Sequence, residues 1–322
     1  MTAECVKPDR LLERIPAEYP RHMLCFFSNN SARGIDLPFV SALIDALNKV
    51  DSITPGYANE MLSRISAIEN TGEDQYEAIL SILAEIYVTA GLCERADIED
   101  GNPQFAHEPA AGQQKNPELE VRVSGQWCAI EVKTPRLIQH GRLRAQNDWQ
   151  VGIRLPSGGL PYENVTLPRD NPVKDFLISA EQKFAAYENY RPGSFRVLAI
   201  LWDDFSNEPI AALTSPESGL LTPNSFHRDA QGSAVRYPHI DGVLVIRHQH
   251  QLMRATRCEP LIDGIAHAFQ YHHNGFPPKA FIECHGGRVP SSDLMSALNA
   301  RPIVECVGAE FHPAEIIMWV NN

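Results

Sequence analysis

Residues 116–136 read N-P-E-L-E-V-R-V-S-G-Q-W-C-A-I-E-V-K-T-P-R. Two runs rich in strand-forming residues flank the turn dipeptide Ser124-Gly125. Side chains on a strand alternate between faces, so residues i and i+2 point the same way. Glu118 and Glu120 therefore share a face, and so do Glu131 and Lys133. Ile130 and Val132 take the opposite, core-facing side of the second strand. If the two runs pair as a hairpin, up to three carboxylates and one ammonium converge. Hard divalent cations take oxygen ligands of this kind. Metal-assisted attack of water on a phosphodiester needs the cation and a group that orients or activates the water.

Composition bounds what such a site can belong to. The chain has 322 residues, 43% of them hydrophobic, enough for a sizeable core and too apolar for a disordered protein. It carries 40 acids against 28 bases, a formal net charge of -12, which excludes a generic basic nucleic-acid coat. No run of about 18 apolar residues stands out as a membrane span, and the N-terminus lacks a secretory apolar core. The seven cysteines are spread without a C-x-x-C pair, which suits reduced thiols. A cytoplasmic location is the expectation.

Outward from the quoted stretch, residues 1–30 are interrupted by prolines and read as a loose arm. Leu37, Val40, Leu43, Ile44 and Leu47 recur at helical spacing. Further helices are expected over 58–68 and 73–90, with Gly91 placed to end the latter. Residues 92–116 read as a connection, and residues 134–171 as a long loop of the kind that is often functional. Asn171 and Pro172 predict a helix start, with the helix running to about 190. R-V-L-A-I-L-W at 196–202 predicts a buried strand. The last third offers strands over 242–247, 280–284 and 315–320 and a helical segment over 260–269, with a loop-rich 214–238.

The order helix, strand, strand, helix, strand, with E-x-K on the later strand of the pair, resembles the PD-(D/E)XK nuclease superfamily. The resemblance covers about residues 73–202. Its motif is an acid after a proline on one strand and E-x-K ten to thirty residues later. Here Pro117-Glu118 precedes Glu131-Val132-Lys133. The chain departs from the family at Glu118, where aspartate is usual; Glu120 is the other candidate for that role. The resemblance implies an α/β fold with a restriction-endonuclease-like core: an N-terminal arm with helices at 1–70, the core at 71–213, and an α/β extension at 214–322 that shares the sheet or packs on it.

It also implies an Mg2+- or Mn2+-dependent nuclease acting on nucleic acid, DNA foremost. Glu131 and Glu118 (or Glu120) would hold the cation, with the Val132 carbonyl as a further ligand. Lys133 would act on the water or the transition-state charge. The family often has a glutamate on the preceding helix, and Glu85 is the matching position. Periodicity alone puts Glu85 about 135° from its helix's apolar stripe, facing solvent. Gln182 and Lys183 on the later helix match a position some branches use, but their spacing reads more simply as solvent-facing. Residues 132–147 hold Lys133, Arg136, Arg142 and Arg144 and no acid, a local reversal of charge suited to phosphate contacts.

Plainer accounts stand beside these. Glu131 and Lys133 can be a solvated cross-strand pair. Glu118 and Glu120 can be a charged edge that discourages aggregation. The arginines can be a solvated basic loop. The alternative function is a non-catalytic binding or assembly module of the same fold, and a homodimer is left open. His248, His250, His272 and His273 lack partners at zinc spacing. There is no Walker A, G-x-S-x-G or dinucleotide fingerprint.

Overall fold

The computed structural model describes residues 37–68, 72–110, 115–152, 154, 164–273, 278–306 and the backbone of 318–320. The expected arm at 1–30 lies outside them. The described helices are α1 (Pro38–Asp51), α2 (Tyr57–Ser66), α3 (Glu73–Cys93), α4 (Ile138–Gln146), α5 (Asn171–Tyr187), α6 (Asn207–Thr214), α7 (Gln249–Thr256) and α8 (Ser292–Ala297). The strands are β1 (Ile98–Glu99), β2 (Asn102–Pro103), β3 (Phe105–His107), β4 (Leu119–Val123), β5 (Gln126–Lys133), β6 (Trp149–Val151), β7 (Val165–Thr166), β8 (Phe195–Trp202), β9 (Gly242–Arg247), β10 (Lys279–Glu283), β11 (Ala300–Pro302) and β12 (Met318–Val320).

The fold is α/β, built on a mixed seven-stranded sheet of order β11-β10-β9-β8-β5-β4-β3. The central pairs β5–β8 and β8–β9 are parallel; β3–β4, β4–β5 and β9–β10 are antiparallel. Side chains from α1, α2, α3, α7 and α8 pack on one face with Ile130, Val132 and Val197. Side chains from α5 and α6 pack on the other with Ala129, Leu198 and Ile200. All eight residues of β8 are buried, which explains the apolar run at 197–202: a strand covered on both faces has no polar side to alternate with. Strands on both sides of residue 213 belong to this one sheet.

The β4–β5 hairpin forms at the expected turn. Ser124 and Gly125 both have positive φ, 47° and 80°, the two-residue geometry whose twist matches that of the flanking strands. The Asp97 carboxylate fixes the turn by accepting from Ser124 N at 2.8 Å and Gly125 N at 2.7 Å.

Several expectations are corrected. The helix expected to stop at Gly91 runs on to Cys93. Gly91 serves packing instead: a Cβ there would lie 2.2 Å from the Tyr271 ring. Helix α3 is long and apolar enough to cross a membrane by length and composition, but 83% of its apolar window is buried within this fold. The expected long loop contains α4, β6 and β7, and the connection at 92–116 contains β1, β2 and β3. No helix forms over 260–269, because Asp263 and Gly264 both take positive φ, 61° and 71°. Among the described residues, the α-helices of the last third are α7 and α8 instead. Of the strand expected over 315–320, only 318–320 falls among the described residues.

Candidate functional site

The β4–β5 register pairs Leu119 with Ile130, so Glu118, one residue before β4, lies across from Glu131. Glu131 is fully buried on the α5 side of the sheet. Its Oε1 lies 2.6 Å from Lys133 Nζ and 2.8 Å from Lys183 Nζ. Lys183, on α5, donates to Glu131 Oε2 at 2.9 Å and to Glu118 Oε1 at 3.1 Å. Two carboxylates and two ammoniums from three chain segments thus meet at the open end of the hairpin. Buried charges of one sign require opposite charges this close, because desolvation otherwise outweighs any gain.

Charge competition at this point shows in Glu118. Burial first, then the charges of Glu85 and Glu131, push its carboxyl up to about 7, against the pull of Lys183. An acid whose folded pKa is raised loses stability as pH rises, since the unfolded chain ionises first. The window runs from about 4.5 to about 7. Glu118→Gln should therefore melt higher than the parent at pH 8 by a margin that disappears at pH 4.5. Thermal denaturation at both pH values checks this, and an equal shift at both would refute it.

Glu85 is buried on α3, not solvent-facing. Arg64 of α2 grips it from both nitrogens at 2.8 and 2.7 Å, and His107 of β3 meets it through Nε2 at 3.1 Å. Burial pushes the Glu85 carboxyl up, but His107 and Arg64 hold it below its usual range. Glu85 therefore acts on Glu118 through charge. Among the described hydrogen bonds it does not share a partner with Glu118.

Glu118 and Glu120 share a face but part company along it. Glu120 is buried and accepts from the Tyr187 hydroxyl and from Arg191 at 2.8 and 2.9 Å. The guanidinium of Arg191 also stacks 3.9 Å over Trp127. Two residues along a strand cover about 6.8 Å and four along a helix about 6 Å. Glu118 therefore meets Lys183, while Glu120 meets Tyr187 one helical turn further on. On this geometry Glu118, and not Glu120, shares a partner with Glu131. The Val132 side chain joins the α3-side core.

The basic run is divided. Residues 138–146 are helical, and Arg142 and Arg144, two positions apart, point about 200° apart. Arg144 is buried, pairs with Asp203 and lies 4.1 Å over the Phe205 ring. Arg136 pairs with Asp74 at 3.2 Å and Arg142 with Glu73; both arginines are exposed at the start of α3. The expected three-arginine track is thus two exposed residues, each with an acid beside it, and one structural ion pair.

Lys183 is the site residue that spacing argued against. Its signal was present: Ala180, Phe184 and Tyr187 form the buried stripe of α5. Lys183 flanks that stripe, where a long apolar stem can run inward and carry its charge to a partner. Arg64 and His107 had no sequence signal; both are brought in by tertiary packing. Comparison with known proteins finds no matching family model, no matching curated protein and no matching solved structure.

Proposed function

We propose that the chain is a metal-dependent nuclease with a PD-(D/E)XK-like core made of α3, β4, β5, α5 and β8, hydrolysing phosphodiester bonds, DNA foremost. The supporting observation is that buried Glu131 meets Lys133 at 2.6 Å and shares Lys183 with Glu118, which lies opposite it across the hairpin. The donor set fits a hard divalent ion such as Mg2+ or Mn2+. Buried Glu131 Oε1 lies 2.6 and 2.8 Å from two ammoniums, so the pocket already concentrates positive charge on this oxygen. A metal ion at this oxygen would take the place of one of those ammoniums. Glu118, Glu131 and the Val132 carbonyl would hold the ion, which when bound would polarise the phosphate and acidify a water. Lys133, partly exposed beside Glu131, orients that water and offsets charge developing on the phosphate. Lys183 is the counter-ion that yields when metal enters.

One observation favours a second reading. Lys183 Nζ already bridges both carboxylates, and a permanent bridge would make the cluster a structural core of a non-catalytic binding module. A cleavage panel with supercoiled, linear and single-stranded DNA, and with RNA, in Mg2+, Mn2+ or chelator tests the nuclease reading. Lys183→Met separates the two. Without metal it should lose about 3 kcal/mol, as for a broken buried pair. On the nuclease reading, Mn2+ restores much of the lost melting temperature, because ligand bound only to the native state stabilises it. No cleavage by the parent, together with no Mn2+ effect on either protein, favours the module.

A further inference from the structure

We propose that Glu60, His107 and Glu108 bind a divalent transition-metal ion, with Zn2+ as its type, at a site distinct from the Glu118–Glu131 pair. One ligand atom from each of the three residues lies within 4.8 Å of the others. His107 Nδ1 is 3.8 Å from Glu60 Oε2. That is too long for a hydrogen bond, but it suits two atoms each about 2.1 Å from one shared ion. An imidazole with two carboxylates is a donor set of the zinc class, where imidazole favours transition metals over Mg2+ and Ca2+.

The second observation is the histidine itself. Its side chain is 4% exposed, far more buried than the two acids, and Tyr57 packs edge-on against the ring at 4.8 Å. Its far nitrogen, Nε2, meets Glu85 at 3.1 Å, and Arg64 holds Glu85 in turn. A carboxylate on one ring nitrogen fixes the tautomer that leaves the other nitrogen's lone pair free. That is how metal-binding histidines are oriented. Here the oriented Nδ1 faces Glu60, with Glu108 in the same group of donors. Neighbours on a strand would point to opposite faces, but Glu108 has φ 44°, which ends the alternation just after β3, and its carboxylate lies on the same side as the His107 ring. Glu60, on α2, and Glu108 are exposed, so an ion has access from solvent and room for water in its remaining positions.

Titrating Zn2+ calorimetrically into chelator-stripped full-length protein tests this. The parent should take up one ion at this site with micromolar or better affinity. Glu60→Gln/Glu108→Gln, a change at two exposed residues, should weaken that uptake by at least 30-fold with the circular dichroism spectrum unchanged. His107→Gln should do the same. Glu131→Gln should keep it, which separates this site from the nuclease reading. Three results would overturn the proposal: no Zn2+ uptake by the parent, equal uptake by the double variant, or uptake lost in Glu131→Gln and kept in the double variant.

Discussion

Glu131→Gln is expected to reduce metal-dependent cleavage by on the order of 10^3-fold or more. Lewis-acid stabilisation is worth several kcal/mol, and each 1.36 kcal/mol is a factor of ten. The substitution keeps shape and volume but removes the negative charge between Lys133 and Lys183, at a side chain with no exposed surface. The part of the Mn2+-induced rise in melting temperature that depends on Glu131 should be lost with activity, while Zn2+ uptake at Glu60, His107 and Glu108 stays. Circular dichroism serves as the control for folding. Lys133→Met is the companion variant: turnover should fall while the Mn2+ shift persists, since an ammonium ligates no cation. A folded Glu131→Gln protein that cleaves at the parent rate removes this residue from the chemistry.

Arg144→Ala should cost about 3–5 kcal/mol, the range for leaving one member of a buried ion pair alone. Asp203 would lose its guanidinium partner, and the Phe205 ring would lose the cation above it. Burial already pushes the Asp203 carboxyl up, and Arg144 is the chief charge opposing that. Chemical denaturation measures the loss. The double change Arg136→Gln/Arg142→Gln touches only exposed pairs and should stay within about 1 kcal/mol. Any contribution of this run to phosphate binding would appear there, as a salt-dependence slope reduced by at most about two. An Arg144→Ala protein as stable as the parent, with a flatter salt dependence, would reverse the assignment.

What could be read from sequence follows from whether the signal was local. The β4–β5 hairpin was legible because alternation and the Ser124-Gly125 turn are local. β8 was legible because a strand covered on both faces is written as an apolar run. α4 was missed because its sequence, I-Q-H-G-R-L-R-A-Q, has few apolar residues to mark a period. The burial of Glu85 could not be read from periodicity: α3 is buried on nearly every side, so its wheel has no solvent face to assign. Arg64 and His107 reach Glu85 across 21 and 22 residues, and Lys183 reaches Glu131 across 52. Such meetings are fixed by how helices dock on the sheet, a property of the whole chain. The helix expected at 260–269 failed for the opposite reason: its apolar residues had helical spacing, but Asp263-Gly264 took turn geometry.

The parallel pairing of β5 with β8 also sets the order in which the site can be assembled. A hairpin such as β4–β5 closes in microseconds, whereas joining Cys128 to Phe195 requires closing the long crossover through α4, β6, β7 and α5. Loop-closure entropy therefore favours bringing Glu118 and Glu131 together before Lys183 reaches them. For that interval the nascent hairpin holds two opposed carboxylates without the ammonium from α5, and protons or dissolved cations are what can relieve their repulsion. On that order, the same acids that shape the finished site would act earlier as a kinetic obstacle, one that mild acid or divalent ions would lower.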